Sequence, residues 1–220
     1  DQQEDIYYLS AETIEQAENS PHIEGFKARD VDVLLFTDPI DEFWLPLIPE
    51  FEGKKFASAS RGSVNLDKFK TDDKDDKQAT DPSEFDLLIA RLKTNLGEQV
   101  ADVRLSSTLT QSPACLVADD NGMDVQMERL MKAHNRDFLG APRILEINPD
   151  HALILALNKK ALYQTTQGDK TGTDKNSLID DAAALLFDQA QILEGKMPSD
   201  LTAFSKRITR VMELSIADDA

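Results

Sequence analysis

The sequence predicts an α+β fold in two parts. The first is a small αβα subdomain built on a parallel βαβ unit. The second is a mixed α/β domain that ends in a two-helix hairpin. Three observations carry this. Two apolar runs, IYYL at 6–9 and VDVLLF at 31–36, flank a helix-patterned stretch, as a right-handed βαβ crossover requires. A charged stretch without periodicity, KFKTDDKDDK at 68–77, reads as a linker and divides the chain into 1–79 and 80–220. Residues 179–215 carry two apolar stripes at helical spacing, joined through Gly195 and Pro198.

Taken in order, the run at 6–9 is a short strand. Ser10 is the expected N-cap of a helix bearing Ile14 and Ala17, and Asn19-Ser20-Pro21 interrupts it. The near-continuous run at 31–36 predicts a strand buried on both faces. Asp38 and Pro39 then predict an N-cap and first helical position, with Ile40, Phe43, Trp44 and Leu47 on the apolar side and Pro46 and Pro49 ending the helix. Residues 54–59 predict a further edge strand. In the second part, Asp81-Pro82 starts a helix carrying Phe85, Leu88, Ile89, Leu92 and Leu96, closed by Gly97. Strands are expected at 100–105, 114–118 and 143–147, and helices at 123–133 and, after Asn148-Pro149-Asp150, through Leu162. The Gly-, Thr- and Asp-rich stretch 164–175 predicts a mobile loop. Ser177 with Asp180 suggests a capping box for the next helix. Ile179, Ala183, Leu186, Ala190 and Leu193 form the first stripe of the hairpin, and Leu201, Phe204, Ile208, Val211 and Met212 the second. Such a hairpin has little core of its own. Its apolar faces require the rest of the domain or a second copy, and two copies would pair as a four-helix bundle.

Composition limits the partners. The chain has 220 residues, with 24 Lys and Arg against 41 Asp and Glu, a formal charge of −17. That acidity argues against nucleic acid and against anionic membranes. No stretch is long and apolar enough to span a bilayer, and the first residues lack the layout of a secretory signal. Cys115 is the single cysteine, so no intrachain disulfide forms, and a reducing cytoplasmic location is the simplest reading.

Most chemical motifs are missing or incomplete. His22, His134 and His151 show no metal-ligand spacing, and no metal site is expected. Cys115 sits in an apolar run, where a thiol is inert. GDKTGTDK at 168–175 lacks phosphate-loop spacing. Asp119, Asn121, Gly122 and Glu128 fall on calcium-loop positions, but Val117 occupies the first. Asp38, Asp41 and Glu42 suit a helix N-terminus better than acid–base work. Met123, Met127 and Met131, with Leu130, share one helix face. That face is either core or an adaptable apolar surface.

Several segments together resemble a known family. EDIYYLSAETIEQAENSPHIEGF, VDVLLFTDPIDEFW and PEFEGKKFASASRG resemble the end of the middle domain of the heat-shock protein 90 chaperones. DVRLSSTLTQSPACLVADDNGMDVQMERLM and ILEINPDHALI resemble their C-terminal domain, and LLFDQAQILEG the start of its dimerising hairpin. The resemblance covers nearly the whole chain in order. The closing SIADDA matches neither the cochaperone-recruiting tail of eukaryotic cytosolic members nor a retention tail, which points to a bacterial member.

The resemblance implies a C-terminal portion of an ATP-driven, homodimeric, stress-responsive chaperone acting on partly folded proteins. The ATP and magnesium site and the catalytic arginine would lie outside this sequence, so no cofactor and no enzymatic activity are expected here. It implies client contacts at Glu42, Trp44, Met123, Met127, Leu130 and Met131, and a dimer interface on the two hairpin stripes. Two other readings stand beside it. One is a purely structural dimerisation module, with client binding elsewhere in the parent chain. The other is a small α/β enzyme using Asp38 and Asp41, which no glycine-rich loop or metal cluster accompanies.

Overall fold

The computed structural model describes residues 3–61, 64, 66, 68–69, 81–118, 131, 141–167 and 174–217, with backbone alone at 42, 164–167, 174–177 and 217. The first part holds a four-stranded sheet in the order β2-β1-β4-β3: β1 (Ile6–Ser10), β2 (Val33–Phe36), β3 (Glu50–Phe51) and β4 (Lys54–Ser58). β1 is central and parallel to both β2 and β4. β3 and β4 form an antiparallel hairpin through Glu52 and Gly53, both at positive φ, the conformation a tight two-residue turn demands.

The helix after β1 is shorter than its pattern. α1 (Ile14–Glu18) is capped by the Thr13 side chain, which accepts from the Gln16 N–H; Ser10, the expected cap, is the last residue of β1. Asn19-Ser20-Pro21 does end α1. Ser20 caps a 3-10 turn with Pro21 in its first position, and α2 (Glu24–Lys27) follows. Tyr7, Leu9, Ala17, Ile23, Phe26 and Val31 make the core on this face of the sheet.

Three expectations for this part need correction. β2 begins at Val33, is only partly buried and lies at the sheet edge; its apolar run does not mark a central strand. β4 is internal, with β3 outside it. The helix after Asp38-Pro39 is a single turn, α3 (Asp41–Trp44). Asp38 Oδ1 accepts from Ile40 N–H at 3.0 Å, so it caps the turn before α3.

The second part has a three-stranded sheet in the order β5-β7-β6, from β5 (Val100–Leu105), β6 (Ala114–Val117) and β7 (Arg143–Ile147). β7 runs parallel to β5 and antiparallel to β6. α4 (Asp86–Leu96), α5 (Ala152–Gln167) and α6 (Asp174–Leu193) build the main core with this sheet. Phe85, Leu88, Leu92, Leu145, Ile147, Ile154 and Ile179 are fully buried there. Gly97 closes α4 at φ 54°. All five residues of β7 are buried. Its Glu146 is satisfied by Arg104, whose Nε and Nη2 donate at 3.0 and 2.9 Å, and by the Ser106 hydroxyl at 2.9 Å.

α6 begins at Asp174 and α5 runs to Gln167, so residues 164–167 and 174–175 of the expected loop are helical. Ser177 therefore lies inside α6 and does not cap it. α7 (Leu201–Ala217) closes the hairpin, with Asp200 Oδ1 accepting from Ala203 N–H at 2.8 Å. The domain boundary at 79/80, most of the charged stretch 68–77, His134, the calcium-loop positions Asp119, Asn121, Gly122 and Glu128, and Met123, Met127 and Leu130 lie outside the described residues.

Candidate functional site

Strand register decides which side chains share the outer face of the first sheet. Tyr8 pairs with Leu34 and Ser58, and Ser10 with Phe36, so these share one face. Phe56 is on it too, opposite Ile6. Tyr8, Phe36, Trp44 and Phe56 form a ring cluster there. Trp44 meets Phe36 and Phe56 edge-on, each at 5.7 Å between centroids. Tyr8 meets Phe36 at 5.8 Å and Phe56 at 6.4 Å. The indole N–H donates to Asp41 Oδ1 at 2.8 Å, so the polar edge of Trp44 is satisfied within the chain.

Around this floor stands an exposed apolar rim. Leu47 is 80 % exposed, and Leu34, Ile40, Phe43, Ile48 and Phe51 are each about half exposed. α3 is too short to fold these residues inward. Leu47 and Ile48 N–H both return to the Trp44 carbonyl, which turns the chain out between Pro46 and Pro49. The expected apolar side of a longer helix is thus displayed to solvent, with only Trp44 half-buried. Of the expected client contacts, Trp44 sits in this floor, and Glu42 lies in α3 with its backbone alone described. Met131 is 40 % exposed. Leu34, Ile48 and Phe51 were not singled out from sequence. For Ile48 a signal existed in its flanking prolines, whereas Leu34 looked like buried strand.

The hairpin stripes separate. Ile179, Ala183, Leu186 and Ala190, expected in a dimer interface, are buried in the chain's own core. Leu193, Leu201, Ile208, Val211 and Met212 are exposed and Phe204 is half-buried. α7 docks on α6 partly through charge. Arg210 Nη1 reaches Asp181 at 3.2 Å, and Arg207 reaches Asp181 at 3.9 Å and Asp188 at 3.8 Å. Burial raises the Asp188 carboxyl, Arg207 opposes that, and Asp200 adds to it. α7 therefore presents most of its apolar stripe outward.

A third feature joins the two parts. The Glu24 carboxylate accepts from the backbone N–H of Thr110 (3.0 Å), Gln111 (2.8 Å) and Ser112 (3.1 Å) and from the Ser112 hydroxyl. Burial pushes this carboxyl up, but the Ser112 hydroxyl and the three N–H groups outweigh it and hold it below the usual range. Asn148 extends the connection: its Nδ2 donates to Ser112 O and its Oδ1 accepts from Asp150 N–H, at the entrance to α5. Gly25 lies so close to this loop that an added Cβ would stand 2.4 Å from the Thr108 carbonyl oxygen. Arg61 bridges to Ala118 across the same seam.

The remaining sequence candidates fall into local roles. Cys115 is buried in β6, where burial, and then Glu146, push its thiol well up. His22 is buried in the 3-10 turn, and His151 Nδ1 accepts from Leu153 N–H at the start of α5. Among the described residues, no group of three or more His, Cys, Asp or Glu is placed to hold a metal ion, and no helix is long and apolar enough to cross a membrane.

The chain has relatives among known proteins. Residues 1–220 match the family description "Hsp90 protein" along their whole length. The chain belongs to the Hsp90 family. Its Hsp90 relatives include the chaperone protein HtpG of Roseobacter denitrificans, 44 % identical over 216 residues, covering 97 % of this chain and 34 % of the relative. HtpG of Paramagnetospirillum magneticum is 43 % identical over 218 residues (97 % of this chain, 33 % of the relative). HtpG of Mesorhizobium japonicum is 40 % identical over 216 residues (98 % and 33 %). The chain thus spans about a third of the length of the curated Hsp90 relatives it matches.

Proposed function

We propose that this chain supplies the dimerising and client-holding parts of a cytoplasmic Hsp90-type chaperone, with ATP and magnesium bound elsewhere in a longer protein. The observation that carries the client role is the rim of Leu34, Ile40, Phe43, Leu47, Ile48 and Phe51 over the Trp44 floor. Contiguous apolar surface of this kind on a soluble protein marks an interaction site. A partly folded protein covering it gains on the order of 1.5–3 kcal/mol for each large apolar side chain fully buried. Met131 is a second exposed apolar position, on the segment for which the family resemblance implies client contact.

The outward stripe of α7 supports dimerisation independently. A second copy packing on Leu201, Ile208, Val211 and Met212 would complete a four-helix bundle around two ion-paired hairpins. No hydrolytic step is assigned to this chain.

Two assays test the proposal. Leu47→Ser with Phe43→Ser should leave the circular dichroism spectrum unchanged and weaken suppression of aggregation of an unfolded model protein. Undiminished suppression would leave only the structural dimerisation module. Ile208→Glu with Met212→Glu should convert a sedimenting dimer to monomer; a surviving dimer would place the interface elsewhere.

A further inference from the structure

We infer that the outer edge of β2 is a strand-addition site for an extended segment in which apolar residues alternate with Lys or Arg. The source of that segment, a partly folded protein, rests on the reading above; the edge itself rests on main-chain geometry. Ala11 N–H donates to Phe36 O at 2.9 Å and the Gln3 side-chain Nε2 donates to Asp32 O at 3.2 Å, so in the regular parallel register with β1 the even-numbered carbonyls face β1. The N–H and C=O of Val33 and Leu35 therefore face the other way. Among the described residues no strand pairs with them.

The two edges of this sheet differ in how they are protected. β3 has two residues, one of them Glu50, and lies opposite Lys54 and Lys55. Shortness and charge are the usual means of blocking edge pairing. β2 is VLLF, with neither charge nor proline, and stays in regular register with β1 throughout. Its Leu34 is half exposed.

Both faces beside β2 suit the proposed occupant. On the helix side, an open groove of about 400 Å³ has Ile23, Val31, Val33 and Leu35 as its apolar lining. The Glu18 and Asp32 carboxylates line it as well, and the Lys27 ammonium is bound to the Glu18 carbonyl oxygen. On the other face, an added strand would continue the row of Leu34 and meet the rim around Trp44. Alternate side chains of one strand would thus enter the groove and extend the rim, while its backbone completes the ladder. Asp30, Asp32 and Asp38 flank the strand, and the net charge of −17 draws a cationic segment in and repels an acidic one.

The probe is a decapeptide of alternating valine and lysine, added to the 220-residue chain. Amide hydrogen exchange at Val33 and Leu35 should slow at least tenfold, with Leu34 and Phe36 unchanged. A valine–glutamate peptide, and a valine–lysine peptide N-methylated at alternate residues on its pairing edge, should each bind at least tenfold more weakly. Val33→Pro removes one outward N–H at the first position of an edge strand and should weaken binding similarly; if it disturbs folding, the methylated peptide still decides the matter. Absent binding, binding without protection of Val33 and Leu35, or equal binding of the control peptides would each overturn the inference. Failure of the client reading shows separately, as undiminished aggregation suppression by the Leu47→Ser, Phe43→Ser chain.

Discussion

Replacing Glu24 with Ala should uncouple the two parts of the chain. The substitution strips one acceptor from three backbone N–H groups and the Ser112 hydroxyl. A hydrogen bond to a charged group contributes about 1.5–3 kcal/mol, but these four share one carboxylate and water reaches part of the site, so the sum overstates the loss. A net loss of about 2–3 kcal/mol is expected, or roughly 4–12 °C in Tm for a chain of this size. Trp44 is the single tryptophan and lies in the first part, so its fluorescence reports that part alone. In the parent chain the fluorescence and circular dichroism transitions in urea should coincide. In Glu24→Ala the fluorescence transition should move to lower urea and separate from the other. Because the folded carboxyl titrates below its ordinary value, its stabilising contribution is complete above the ordinary carboxylate range. It fades as pH falls through the depressed value, so variant and parent should converge in acid. A variant within about 0.5 kcal/mol of the parent, the usual range for surface substitutions, or a coincident pair of transitions, would refute the role of Glu24 as the connector.

Gly25→Ala should act on the same seam by a steric route, since the new methyl meets the Thr108 carbonyl and backbone must shift; a Tm equal to the parent's would show that the seam yields freely. Cys115 should react with a soluble thiol reagent only as the chain unfolds, and rapid labelling of the native chain would contradict its burial. Asp188→Asn should leave Tm unchanged or raise it at neutral pH. The raised folded value means that ionisation opposes folding there, so the gain should fade as pH falls below that value and be gone below the ordinary aspartate value; a loss beyond about 3 °C would show that the Arg207 pair outweighs burial.

Much of the fold could be read in the chain because local signals and core packing agree. Phe85, Leu88, Leu92 and Leu96 are buried at the spacing that suggested them, Asp81 and Gly97 end the segment as their chemistry dictates, and the strand at 143–147 forms with every residue covered. The errors share a physical cause. Periodicity reports that a face is apolar and says nothing of what covers it. The stripe of Ile179, Ala183, Leu186 and Ala190 is covered by its own chain, whereas Ile208 and Met212 on the next helix are not. The run at 31–36 reads as a central strand because two-sided burial and an unprotected edge have the same composition. Trp44 was legible as a candidate, but its floor of Tyr8, Phe36 and Phe56 depends on register across three strands. Glu24 left no signal at all, since its partners are three main-chain groups and one serine hydroxyl more than eighty positions away.

That last point bears on how such a chain drifts over generations. A connector made of two matched side chains ties two positions together, and a change in one must await a change in the other. Here most of the donors at 110–112 are peptide groups, which every residue but proline supplies. Thr110 and Gln111 thus supply their donors whatever side chain they carry, proline excepted, and the side-chain requirement falls on Glu24, on Gly25 beside it and on the Ser112 hydroxyl. The joint between the two parts is in this sense specified by few side chains, Glu24 and Gly25 on one side and Ser112 and Asn148 on the other.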